Sequence, residues 1–200
     1  MTLHRSYWLA KQWSIPGSDI SPVEGIPRPK FSNARDRFLS AGEAQRLFAA
    51  CERTSNPQLR SIVALLLYTG ARKRELLDAQ WQHVDVERKA WFIPDSKTGQ
   101  SRYVRLSGPA LAVIDELVRI LGCPYLVPNP LTLEPSRDIK RAWDVARRKA
   151  GLSDVHIHDL RHSAASFMTI AGVDLYVVGR VLGHADINQR CGMLTSPMTP

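Results

Sequence analysis

The stretch from Asn56 to Gly70 limits the possible folds of this chain more than any other. Leu59, Ile62, Val63, Leu66 and Leu67 recur at helical spacing and leave the helix apolar on most sides. A helix of that kind has no face to give to water, so other elements must surround it. Asn56 and Pro57 suit its start and Gly70 its end. Its longest apolar run, Ile62 to Tyr68, is about a third of the ~20 residues that a membrane span needs. It is therefore the expected centre of a protein core.

The elements around it can be read in order. Ser40 and Glu43 have the spacing of a capping box, followed by Ala44, Leu47 and Phe48 at helical period. From Val84 to Leu106 the pattern shortens to β-like runs, Val84 to Val86, Ala90 to Ile93 and Tyr103 to Leu106, divided by charged or Gly-containing turns. These predict a small antiparallel three-stranded sheet. A helix is expected from Ser107 and Pro109, with Leu111, Ile114, Leu117, Val118 and Leu121 on one stripe and Gly122 after it. Further helices are expected at about Ser136 to Ala150, His158 to Ala171 and Asp174 to Leu182, each followed by a glycine. The fold class is mainly α with one small sheet inserted.

Residues 1 to 36 differ from the rest, because Pro16, Gly17, Pro22, Gly25, Pro27 and Pro29 interrupt a segment whose one helical stretch is Leu3 to Trp13. They read as the tail of an upstream element and a linker, and residues 37 to 200 as one main domain. Cysteines 51, 123 and 191 form no CxxC pair, which suits a reducing cytoplasm and provides no disulfide framework. His4, Arg5 and Lys11 flank no apolar export signal. With 27 Lys and Arg against 19 Asp and Glu, the net charge is +8. That excess favours a polyanionic partner, although scattered solvated charge would give the same total.

Three polar clusters stand out. Thr69 to Leu76 places Arg72 and Glu75 three residues apart, a spacing that an ordinary helical ion pair also explains. The turn Ser96-Lys97-Thr98-Gly99 puts a lysine at a hairpin tip. His158-Asp159-Leu160-Arg161-His162 is followed by His184. A metal site fits the last cluster poorly, since Arg has no acceptor and repels a cation. Arg, Lys and His together suit a phosphate diester instead: guanidinium forks hold the non-bridging oxygens, and a Lys or His protonates the leaving oxygen without metal or other cofactor.

The motifs YTGARKREL at 68–76, SKTG at 96–99, HDLRHSAAS at 158–166 and VVGRVLGHADI at 177–187 resemble, in order and spacing, those of the tyrosine recombinases or phage-type integrases. The resemblance covers roughly Arg37 to Leu194, and residues 1–36 look like the end of that family's core-binding domain, most of whose DNA clamp is absent. It implies duplex DNA as partner, other recombinase protomers on that DNA, and no membrane. It also implies strand cleavage through a 3′-phosphotyrosyl link. Residue by residue, Arg72 and Arg161 would hold the scissile phosphate and Lys97 would protonate the departing 5′ oxygen. His158 would assist proton removal from the nucleophile, His184 would hydrogen-bond a phosphate oxygen, and Glu75 would fix the helix that presents Arg72. Asp159 and His162 are expected in buried packing, and His83, His156 and His4 at ordinary surface or loop positions.

The chain departs from the family at the nucleophile. The family's Tyr follows the His at position 184 by nine residues, but position 193 is Met and no Tyr occurs after Tyr176, itself expected in the core. A two-residue deletion after Asn188 would bring Cys191 to that place. A defective copy that only binds DNA is thus the rival reading. Lys140, Arg141, Arg147 and Arg148 support DNA binding, since seven-residue spacing pairs them on shared helix faces; Trp143, Val145 and Ala146 supply buried positions.

Overall fold

The computed structural model describes residues 3–23, 26, 37–94 and 101–183. The chain divides into two compact units, Met1–Arg35 and Asp36–Pro200. In the first, helix α1 (Leu3–Gln12) ends where Ser14 turns to φ 52°, and the Ser18 hydroxyl closes the following turn on the Ile15 carbonyl. Trp8 and Trp13 on this unit are exposed.

The second unit is built on α2 (Ala41–Glu52), α3 (Leu59–Thr69), the short α4 (Lys73–Leu77), α5 (Gly108–Asp115), α6 (Lys140–Lys149), α7 (Asp159–Ile170) and α8 (Leu175–Leu182). Helix α3 lies at its centre, with every residue from Ile62 to Leu67 buried and α2, α5 and α7 packed around it. The capping box at the start of α2 forms as its spacing predicts, Ser40 and Glu43 bonding each other's backbone N–H. Arg37 adds a fork on Glu43 at 2.7 Å and reaches Asp154 at 2.7 Å, which ties the start of α2 to the loop before α7.

Strands β1 (Val84–Asp85), β2 (Ala90–Ile93) and β3 (Arg102–Arg105) form the antiparallel sheet in that order. Trp91 opposes Val104 and Ile93 opposes Arg102 on the inward face, while Phe92 stacks on Tyr103 outside with centroids 4.9 Å apart.

Two expected helices are shorter than their apolar pattern, and tertiary pairing is the reason. Helix α5 stops at Asp115 rather than continuing to Leu121, leaving Val118 and Leu121 exposed. Residues 124–126 run extended instead: Trp81 N–H donates to the Pro124 carbonyl and Leu126 N–H to the Ala79 carbonyl, both at 2.9 Å. Backbone pairing that buries Leu126 and Val127 outweighs two further turns of helix with an exposed stripe. Helix α6 begins at Lys140 rather than Ser136, because Arg74 of α4 takes the carbonyls of Ser136 and Arg137, and Lys73 binds Asp138 at 2.9 Å. Tyr176 is a further correction: its place on α8 leaves it 52% exposed, outside the core in which the sequence puts it.

Candidate phosphate site at the end of helix α8

The site grows from the turn between α3 and α4. Gly70 caps α3 at φ 63°, a left-handed conformation that only glycine adopts without strain. A Cβ there would stand 2.6 Å from Leu182 Cδ2, so α8 lies directly against this turn. Gly70→Ala is expected to cost about 1–2 kcal/mol in backbone strain before any displacement of Leu182, and to lower the melting midpoint by at least ~2 °C. A calorimetric melt checks this, and an unchanged midpoint would show that the turn relaxes freely.

Three arginines meet the carbonyl end of α8. Arg161, buried on α7, donates from Nη1 to the Gly70 carbonyl at 2.6 Å and from Nη2 to the Leu182 carbonyl. Arg72, at the cap of α4, reaches the Gly183 carbonyl with Nη2 at 3.4 Å. Arg102 of β3 donates from Nε to the Val181 carbonyl at 3.1 Å. Guanidinium groups are favoured there because the last carbonyls of a helix lack partners and carry its negative dipole end. Gly183 closes the helix at φ 67°, and a Cβ on it would lie 3.0 Å from Arg102 Cδ.

Glu75 joins two of these arginines. Its carboxylate accepts from Arg72 Nη1 at 2.8 Å, from Arg72 N–H at 2.8 Å, and from both Arg102 Nη groups at 2.9 and 2.6 Å. Burial pushes its pKa up, but the bonds from Arg102 and Arg72 outweigh that and hold it at about 2. Among the described residues, three guanidinium charges and one carboxylate leave a net two positive charges around the end of α8.

Of the residues singled out in the sequence, Arg72, Glu75 and Arg161 are thus brought to one place. His158 precedes α7 with its side chain exposed, and its ring meets that of His162 edge to face at 5.1 Å. Asp159 is buried and accepts from His156 N–H at 2.8 Å. Lys97, His184 and Cys191 lie outside the described residues. Among the basic residues of α6, Lys140, Arg141 and Arg148 are exposed, whereas Arg147 is half-buried and spent on Asp144 at 2.8 Å and on the Ser153 carbonyl. Burial pushes the Cys51 thiol up to about 12, so it is no thiolate at neutral pH. Arg102 escaped the sequence reading, although a signal existed: Arg102, Val104 and Leu106 alternate onto one face, and a charge among inward-facing apolar residues needs a buried partner.

A profile of the phage integrase family matches residues 37–190. The chain belongs to that family. The shufflon-specific DNA recombinase of Escherichia coli is 31% identical over 169 residues, covering 84% of this chain and 42% of the recombinase. The integrase of Salmonella phage P22 is 30% identical over 190 residues, covering 88% of this chain and 47% of that integrase. This integrase-family chain thus spans less than half the length of both relatives. Among solved structures, the catalytic domain of bacteriophage HP1 integrase superposes with TM-score 0.61 at 25% identity, covering 76% of this chain and 83% of that domain. A lambda integrase dimer bound to a COC′ core site gives TM-score 0.74 at 23% identity over 96% of this chain and 56% of its own, a likeness of fold. The mainly helical architecture with one small antiparallel sheet is therefore the integrase catalytic-domain fold.

Proposed function

We propose that this domain binds duplex DNA and holds one backbone phosphate at the end of α8, as a site-specific recombinase does before strand cleavage. One observation carries the reading: Arg72 and Arg161, far apart in sequence, approach successive carbonyls of the same helix end, where the described residues set one carboxylate against three guanidinium groups. Two guanidinium forks suit the two non-bridging oxygens of a phosphodiester. In this reading Lys97 donates the proton to the departing 5′ oxygen, His158 assists proton removal from the attacking group, and His184 bonds a phosphate oxygen. Neither a metal nor another cofactor is required. Lys140, Arg141 and Arg148 add phosphate contacts along the exposed side of α6, and further recombinase protomers share the DNA.

The absence of any tyrosine after Tyr176 favours the second reading, a member that binds DNA without cleaving it. Tyr176 is a poor substitute, since six residues of helix separate it from Leu182, about 9 Å along the axis. Both readings require DNA affinity that falls linearly on a logarithmic salt scale, with a slope of roughly −0.9 per phosphate neutralised. The slope should diminish by about one in the Arg72→Gln variant. Fluorescence anisotropy with a short duplex measures it, and no association at low salt would sink both readings.

A further inference from the structure

The Glu75 carboxylate is fully occupied. Oε1 accepts from Arg72 Nη1 and Arg102 Nη1, and Oε2 accepts from Arg72 N–H and Arg102 Nη2. Four donors match the roughly four lone-pair positions that a carboxylate offers. Arg102 supplies two of the four, and its remaining Nε holds the Val181 carbonyl at 3.1 Å. Its side chain is only 10% exposed, against 23% for Arg72. Arg102 is therefore turned inward, and Arg72 is the arginine of this pair with surface to offer a ligand.

We infer that Arg102 is a positioning residue for the phosphate site, occupying the Glu75 oxygens that would otherwise draw Arg72 inward and pinning the last turn of α8 beside them. This rests on the reading that Arg72 meets a DNA phosphate. The physical argument is one of competition. Without Arg102, each Glu75 oxygen has an open lone pair next to the Arg72 fork. A guanidinium beside a buried carboxylate with open lone pairs closes on it bidentately. Arg72, which already meets Glu75 through Nη1, then turns Nη2 from the Gly183 carbonyl onto the second oxygen, its outward donors are lost, and the net charge among the described groups falls from two to one. With Arg102 in place Glu75 is held at about 2 against the effect of burial, and when Arg102 is lost the Arg72 guanidinium and backbone N–H still favour its ionised form. Arg102 also ties Val181, the residue before the carbonyl that Arg161 holds, so the same side chain steadies both phosphate arginines.

The mechanism makes a rescue prediction that a merely structural ion pair does not. Arg102→Gln should weaken binding of a short duplex about tenfold at low salt, close to the loss caused by Arg72→Gln. Adding Glu75→Gln to Arg102→Gln removes the trap and should recover at least about threefold of that affinity, even though a second buried polar group has been altered. Full affinity in Arg102→Gln, or a double variant no better than the single one, would overturn the inference. If Arg102→Gln does not fold, Arg102→Lys takes its place: it keeps the charge, but one ammonium cannot span both Glu75 oxygens and the Val181 carbonyl, so its affinity should still fall about threefold. Wild-type affinity in Arg102→Lys would equally overturn it. Should Arg72→Gln itself bind DNA as tightly as wild type, the phosphate reading of Arg72 fails instead. The positioning role is then decided by the Arg72 Nε–Hε signal in NMR spectra of the DNA-free protein, which should shift on Arg102→Gln; an unmoved signal would overturn it.

Discussion

Arg161→Ala should lower the melting midpoint of the domain by roughly 6–12 °C and remove its phosphate-dependent affinity for DNA. Arg161 is 5% exposed and its guanidinium bridges the Gly70 and Leu182 carbonyls, so it joins α7, the α3–α4 turn and α8 at one point. Hydrogen bonds from a charged donor contribute about 1.5–3 kcal/mol each, and carbonyls left without a partner where water is excluded cost a similar amount. Allowing for relaxation, about 3 kcal/mol is the expected net loss, at roughly 2–4 °C per kcal/mol for a domain of this size. Arg161→Lys should recover less than half of it, since a single ammonium cannot reach both carbonyls with the geometry of a fork. Binding is then compared well below both midpoints, so that loss of fold and loss of contact are separated. An unchanged midpoint in Arg161→Ala would mean that the two carbonyls find other donors and that α8 is not held by this side chain.

The double duty of Arg161 explains why part of the site was legible in the sequence and part was not. A polar cluster such as His158 to His162 stands out because buried helices rarely carry Arg, and Arg72 stands out beside a helix-ending glycine. What such clusters bind is set by backbone carbonyls, and carbonyls leave no mark in a sequence. The end of α8 acts through Val181, Leu182 and Gly183, residues whose side chains have no polar chemistry. Arg102 was hidden differently, as one arginine among several in a basic hairpin, until the Ile93–Arg102 pairing turned it inward onto Glu75. Elements governed by local chemistry were read well. The Ser40 capping box and strand Ala90–Ile93 form as their residues dictate. Helix α5 is shorter than its apolar stripe because the pairing of 79–81 with 124–126 is a long-range event that no local periodicity encodes. Lys97, His184 and Cys191 lie outside the described residues, and the roles of Lys97 and His184 are part of the proposal.

No covalent protein–DNA adduct should form with the chain as it stands. Guanidinium groups that neutralise a phosphate lower the barrier to attack, but they cannot replace the attacking atom, and position 193, nine residues after His184, is Met. Attack by Cys191 would need its thiolate, and a cysteine with the ordinary pKa of ~8.5 is mostly neutral at pH 7. Cys191→Tyr alone should also fail, because the two-residue deletion after Asn188 that would bring Cys191 to the nucleophile position would also remove about 3 Å of reach if the segment is helical. The informative variant inserts two residues after Asn188 together with Cys191→Tyr, carries the core-binding segment of a relative fused ahead of it, and is given a nicked suicide duplex. A denaturant-stable band that migrates with both protein and DNA is expected from that variant alone, and Arg161→Ala should abolish it. The step is balanced: the tyrosyl oxygen forms the new bond to phosphorus, the 5′ oxygen leaves with a proton, and the phosphodiester charge is conserved. A band from the unaltered chain that Cys191→Ser removes would instead make the thiol the working nucleophile. Failure of the restored variant to form any band, with its duplex affinity intact, would confine this domain to binding DNA.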